Sequence, residues 1–201
     1  MRLALLITLA CALTVCFATA NDPLIGRWRA LELGPNGTGQ IFEFHSGKGV
    51  DAGPATILDG SFRLVGTDIV LKSSKDAPET KLDLEWDGRD QIRIENEPAN
   101  QVIKLIRVGA LKDTGNPLFG EWMTPDGAKE KKLPSLSLFY QDGRNLWVIP
   151  QSTQHGHYSV DGKTIRIELP NRPVIEGLFS VEGNHLKLPN LKGSESNFER
   201  Y

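Results

Sequence analysis

Four histidines supply the best metal-ligating atoms in the chain. His155 and His157 are two residues apart, a spacing that puts both imidazoles on one face of an extended strand, with His185 as a possible third ligand. Zinc sites use three or four ligands, and Tyr158 and Val160 take the inward face of the same run. Both histidines are therefore expected outside, as solvated side chains, and His45 stands alone. Gly162-Lys163-Thr164 ends like a phosphate loop, but Gly156 lies one position too far away and the segment reads as a hairpin turn. Asp83, Glu85 and Asp87 alternate with Leu82, Leu84 and Trp86, as the wet face of a strand does. No Gly-x-Ser-x-Gly and no His-Glu-x-x-His is present, and the only cysteines are Cys11 and Cys16. The expectation is a protein without catalytic residues, bound metal or cofactor.

The elements that would carry these residues are strands. Phe42 and Phe44 share one face, as do Phe62 and Leu64, and Leu82, Leu84 and Trp86. Farther on, Leu136, Leu138 and Tyr140 alternate, and so do Tyr158 and Val160, and Leu186 and Leu188. Short alternating runs of this kind predict half-buried antiparallel strands, and no stretch holds a helical period for three turns. Asp59-Gly60, Asp87-Gly88, Asp126-Gly127, Asp142-Gly143, Asp161-Gly162 and Glu182-Gly183 predict the turns between them, because Asp-Gly tolerates positive φ. Gly47 to Leu58 and Pro150 to His155 read as the longer loops.

The chain also repeats itself. Asn21-Asp22-Pro23-Leu24-Ile25-Gly26-Arg27-Trp28 returns as Gly115-Asn116-Pro117-Leu118-Phe119-Gly120-Glu121-Trp122. Gly60 to Gly66 matches Gly156 to Gly162, and Leu84 to Gly88 matches Phe179 to Gly183. A period of about 95 residues is too long for a solenoid or propeller and fits a duplicated small domain. Gln101 to Val108 reads as the last strand of copy one, and Gly109 to Gly115 as a connector. The predicted fold is all-β: two tandem antiparallel meander barrels of about 7–8 short strands each, over residues 21–110 and 111–201, after a leader at 1–20. One larger barrel of about fourteen or more strands is the alternative.

At Gly26-x-Trp28 and Gly120-x-Trp122 the chain resembles the lipocalin-like members of the calycin superfamily. The resemblance implies an arginine from the last strand packed over each tryptophan, and Arg107 and Arg200 stand at the matching places. Within a tandem arrangement Trp28 should meet Arg107, and Trp122 should meet Arg200. The resemblance also implies a small apolar or amphipathic ligand. Phe42, Phe44, Phe62, Trp86, Tyr140 and Tyr158 are the candidate ligand contacts. The inward residues are nearly all bulky, which predicts barrels more filled than hollow. Two other readings stay open: an envelope module that presents Gly47–Leu58 and Pro150–His155 to a protein partner, and an isomerase or cyclase on a small barrel.

Arg2, the apolar run from Leu3 to Phe17 and Ala18-Thr19-Ala20 have the form of a secretory leader cleaved before Asn21. The run is shorter than the roughly 20 residues a membrane span needs. Leu13-Thr14-Val15-Cys16 resembles a lipobox, but Val15 is too large, so a lipid anchor at Cys16 is the lesser reading. Secretion or a periplasmic location follows, with no cysteine in the mature chain. The net charge of -2 has no like-charged run beyond the interrupted Lys129–Lys132, which argues against nucleic acid and membrane surfaces as partners.

Overall fold

The computed structural model describes residues 22–96, 100–109, 115–125, 133–190 and 194–201. The expected leader, its cleavage site, Cys16, most of the connector, Asp126-Gly127 and Lys129–Lys132 lie outside the described residues. Copy one contributes β1 (Gly26–Ala30), β2 (Thr38–Phe44), β3 (Gly49–Val65), β4 (Asp68–Lys72), β5 (Thr80–Trp86), β6 (Gln91–Asn96) and β7 (Gln101–Val108). Copy two contributes β8 (Gly120–Met123), β9 (Leu136–Phe139), β10 (Arg144–Pro150), β11 (Gln154–Asp161) and β12 (Thr164–Glu168). It ends with β13 (Ile175–Leu178), β14 (Ser180–Glu182), β15 (His185–Pro189) and β16 (Glu195–Arg200). Among the described residues no helix is long and apolar enough to cross a membrane.

All the strands hydrogen-bond into one antiparallel sheet, which closes once by pairing of β10 with β3 and is completed a second time by the chain running from β13 into β14. Neighbour follows neighbour from β3 to β10, and β10 then pairs back onto β3, which gives an eight-stranded antiparallel barrel. The remaining strands close a second ring: β16–β1–β2–β3, then β11, β12, the β13–β14 segment and β15. Both circuits run through β3. At about 3.3 Å per residue its 17 residues reach about 56 Å, far more than one wall of a small barrel. Its Gly49–Ala52 end pairs with β11, its Ala55–Ser61 stretch with β10, and its last five residues with β4.

This corrects three expectations. Gly47–Leu58 is not a loop, because most of it lies in β3, with Val50, Ala52, Ala55 and Ile57 buried. Asp59-Gly60 is strand too; a side chain at Gly60 would run into the Lys72 carbonyl on β4. The division at residue 110 does not follow the strand pairing either. The first barrel takes β3–β7 from copy one and β8–β10 from copy two, and the second ring takes β1–β3 from copy one and β11–β16 from copy two. A single barrel of all the strands is equally absent, since each ring has its own core.

Phe62, Ile69, Leu84, Ile94, Leu105, Trp122 and Phe139 fill the first barrel. Trp28, Phe42, Phe44, Tyr158, Ile167, Leu186 and Phe198 belong to the core of the second ring. Ile41, Ala55, Ile57, Leu146 and Val148 make a third cluster between the two. Arg29 spans that seam, donating to Asp59 Oδ2 at 2.9 Å and Glu199 Oε2 at 2.8 Å, while Arg27 pairs with Glu43 and Glu121. β10 and β11 are the counterpart of β3, interrupted at residues 151–153. The interruption passes directly over Gly53, where any Cβ would collide with the Ser152 carbonyl.

Candidate functional site

Each ring is capped at one end by the same device. The carboxamide of Asn116 and the carboxylate of Asp22 accept from the amide two residues on, at 3.0 Å in both cases, and start a tight turn. The turn places the Leu24 carbonyl 2.7 Å from Trp28 Nε1 and the Leu118 carbonyl 2.8 Å from Trp122 Nε1. Both tryptophans are fully buried. The Arg200 guanidinium lies 4.2 Å from the Trp28 ring centre and donates to the carbonyls of Ile25 and Pro23 at 2.5 and 2.6 Å. Arg107 lies 4.1 Å from Trp122 and donates to Phe119 and Pro117 at 2.9 and 2.7 Å. Gly26 and Gly120 share φ +124°, a value that side chains resist, and a Cβ at Gly26 would press on the arginine head. Gly26, Trp28, Arg200 and Gly120, Trp122, Arg107 are thus the closure residues. Their partners are exchanged: Trp28 meets Arg200 and Trp122 meets Arg107, the reverse of the tandem expectation, because β16 and not β7 lies beside β1.

One register row separates the two interiors. Across from Trp28 the row runs to Phe42 on β2 and Ala52 on β3. Across from Trp122 it runs to Ser137 on β9 and Trp147 on β10. In the first barrel the Trp147 ring packs against the core, and buried Asn145 donates to Ser137 Oγ at 3.1 Å and to the Leu138 carbonyl at 3.2 Å. In the second ring Ala52 stands where Trp147 stands in the first, and Phe42 where Ser137 stands. A cavity of about 400 Å³ opens there, walled by Phe42, Ala52, Ile175, Leu188 and Phe198. Gln40, Gln154, Arg172, Asn190 and Ser196 stand among its polar lining. The wall is stepped beside it, because β13 bonds to β12 and β14 to β15, with Gly177 passing close against Pro189.

Of the six aromatic residues expected to contact a ligand, Phe42 alone lines this cavity. Phe44 and Tyr158 pack deeper in the same core, edge to face at 4.9 Å. Tyr158 also donates its hydroxyl to Asp22 Oδ2 at 2.9 Å. Burial and this hydrogen bond raise the Tyr158 pKa. Burial pushes the Asp22 carboxyl upward, but hydrogen bonds from Lys48, the Leu24 amide and Tyr158 outweigh it and its pKa is lowered. Phe62 sits in the first barrel against Phe139, Trp86 lies on Trp122 with two fifths of its surface exposed, and Tyr140 faces the seam under Arg144. Ala52 and Arg172 escaped sequence reasoning. The signal for Ala52 was a small residue in an otherwise bulky inward series, legible only once the register to Trp147 is known.

The histidines are less scattered than expected. His45 Nε2 lies 2.7 Å from Asp51 Oδ2, and His155 Nδ1 lies 3.0 Å from Asp51 Oδ1. His157 lies beside His155, with ring centres 5.9 Å apart, while His185 is on β15. The two nitrogens engage different oxygens and the His45 and His155 ring centres are 6.5 Å apart. Among the described residues no group of three or more His, Cys, Asp or Glu side chains is arranged to hold a metal ion.

No protein-family model matches the chain, and no curated protein or solved structure is detectably similar to it.

Proposed function

We propose that this chain is a secreted or periplasmic lipocalin-like binding protein that holds one small apolar or amphipathic molecule in its second ring. The observation that carries this reading is the pairing of Ala52 with Phe42 where the first barrel pairs Trp147 with Ser137. The resulting cavity of about 400 Å³ falls within the size range of small-molecule sites, and it has the apolar walls and few polar groups such sites show. The first barrel, filled by its own side chains, acts as a scaffold. The repeat is read as a duplicated lipocalin-like unit whose two copies have exchanged strands. The alternative of a protein-interaction module relied on Gly47–Leu58 and Pro150–His155 as presented segments; most of the first is strand with alternate residues buried, and of the second only residues 151–153 lie outside β10 and β11. The test is titration with the neutral apolar fluorophore N-phenylnaphthylamine. One molecule should bind per chain, and Ala52→Leu, which narrows the cavity, should weaken binding at least about tenfold. Saturable binding unchanged in Ala52→Leu would place the ligand elsewhere.

A further inference from the structure

We infer that the molecule held in this cavity is an amphipathic anion, oriented with its charged group at Arg172. The inference rests on the cavity being a ligand site. Among the described residues Arg172 is the one charged side chain in its lining, and none of the described lining residues carries a carboxylate. The arginine sits in the short connection between β12 and β13, held by two local bonds. Its amide donates to the Leu169 carbonyl at 3.3 Å, and its Nε donates to Gln154 Oε1, also at 3.3 Å. That second contact uses the inner edge of the guanidinium and leaves the terminal nitrogens as a fork.

Most of the other arginines show what this one lacks. Arg27, Arg29, Arg63, Arg93, Arg107, Arg144 and Arg166 each engage at least one carboxylate. Arg200 is occupied by two carbonyls and the Trp28 ring. Among the described residues Arg89 and Arg172 have no ion-pair partner, and of the two Arg172 is the one that lines the cavity. An exposed planar fork in the lining of an apolar cavity matches a carboxylate, sulfonate or phosphate bidentately, while the chain of the ligand lies against Phe42, Ile175, Leu188 and Phe198. Gln40 and Gln154 add neutral amides to the lining and no negative charge to oppose the anion.

The experiment uses three amphiphiles of equal chain length, decanoate, decanol and decylamine, to displace N-phenylnaphthylamine from the full chain at low and high salt. Decanoate should displace at about fivefold lower concentration than decanol, a modest factor because the arginine is exposed, and decylamine should be the weakest. Arg172→Gln or high salt should erase the advantage of decanoate and leave decanol unchanged, and Arg172→Lys should restore part of it. Equal displacement by decanoate and decanol, or an advantage that survives Arg172→Gln, overturns the anion inference while the cavity stands. A fluorophore that binds but yields to none of the three also overturns it. Failure of the fluorophore to bind at all removes the cavity as a ligand site, and the anion inference falls with it.

Discussion

Ala52 and Trp147 occupy the same position in two register rows, each two strands from a capping tryptophan, and their difference in volume separates a hollow ring from a filled one. Backbone pairing is alike in the two rows, so the exchange of Ser137 and Trp147 for Phe42 and Ala52 is a difference of side chains and not of register.

Removing the plug should open the first barrel. Trp147→Ala would cost about 3 kcal/mol, the low end for a large aromatic, because Trp147 is only half-buried. In return N-phenylnaphthylamine should bind at about two sites per chain instead of one. A stoichiometry that stays at one while stability falls would show that the neighbours collapse into the gap.

Arg200→Ala should destabilise the whole chain and not one half of it. The loss combines the cation over a buried indole, up to about 2 kcal/mol, with two charge-assisted hydrogen bonds to carbonyls. Because both rings share β3, denaturation followed by tryptophan fluorescence and by far-ultraviolet circular dichroism should give one coincident transition, shifted to lower denaturant. Two separated transitions would mean that the rings unfold independently.

Cutting the chain once between Gly109 and Gly115 should not release two domains. Each ring needs strands from both sides of that cut, so the nicked pieces should elute together in size-exclusion chromatography under native conditions. Resolution into two folded monomeric peaks would restore the tandem arrangement.

The acid limb of stability should lean on Asp22. Its folded pKa lies below the ordinary value of 3.8, so the ionised carboxylate contributes stability that is present above that value and fades as pH falls through the folded pKa. Asp22→Asn should be least costly at the acid end and most costly near neutrality, where Lys48 and Tyr158 lose their charged acceptor. Chemical denaturation across acid to neutral pH measures this, and a penalty independent of pH would contradict it. Tyr158 acts at the other extreme: its raised pKa favours the protonated hydroxyl, so its contribution is full below pH 10.0 and is lost at higher pH.

Much of the local structure was legible without coordinates. Gln101–Val108 is β7 as read, Asp142-Gly143 and Asp161-Gly162 do turn the chain, and both Gly-x-Trp motifs do receive an arginine. These features depend on neighbours within a few residues, or on a residue type with one suitable partner. Alternation reports which face of a strand is buried; it is silent on the strand alongside. With two copies carrying the same signatures, closure within a copy and closure across copies obey the same local rules. The site was harder still. A list of inward aromatics does not contain the small residue that makes a cavity, and Arg172 lies in a turn with no pattern of its own.

The amino-acid sequence by itself determined an all-β chain, several of its turns, the recurrence of its Gly-x-Trp motif and the residue types that cap a ring. The tertiary structure decided which arginine meets which tryptophan and which ring stays open. It did so because β3 runs 17 residues without turning back. A strand that long serves two rings, and its Ala52 then faces the interior that no Trp147 reaches.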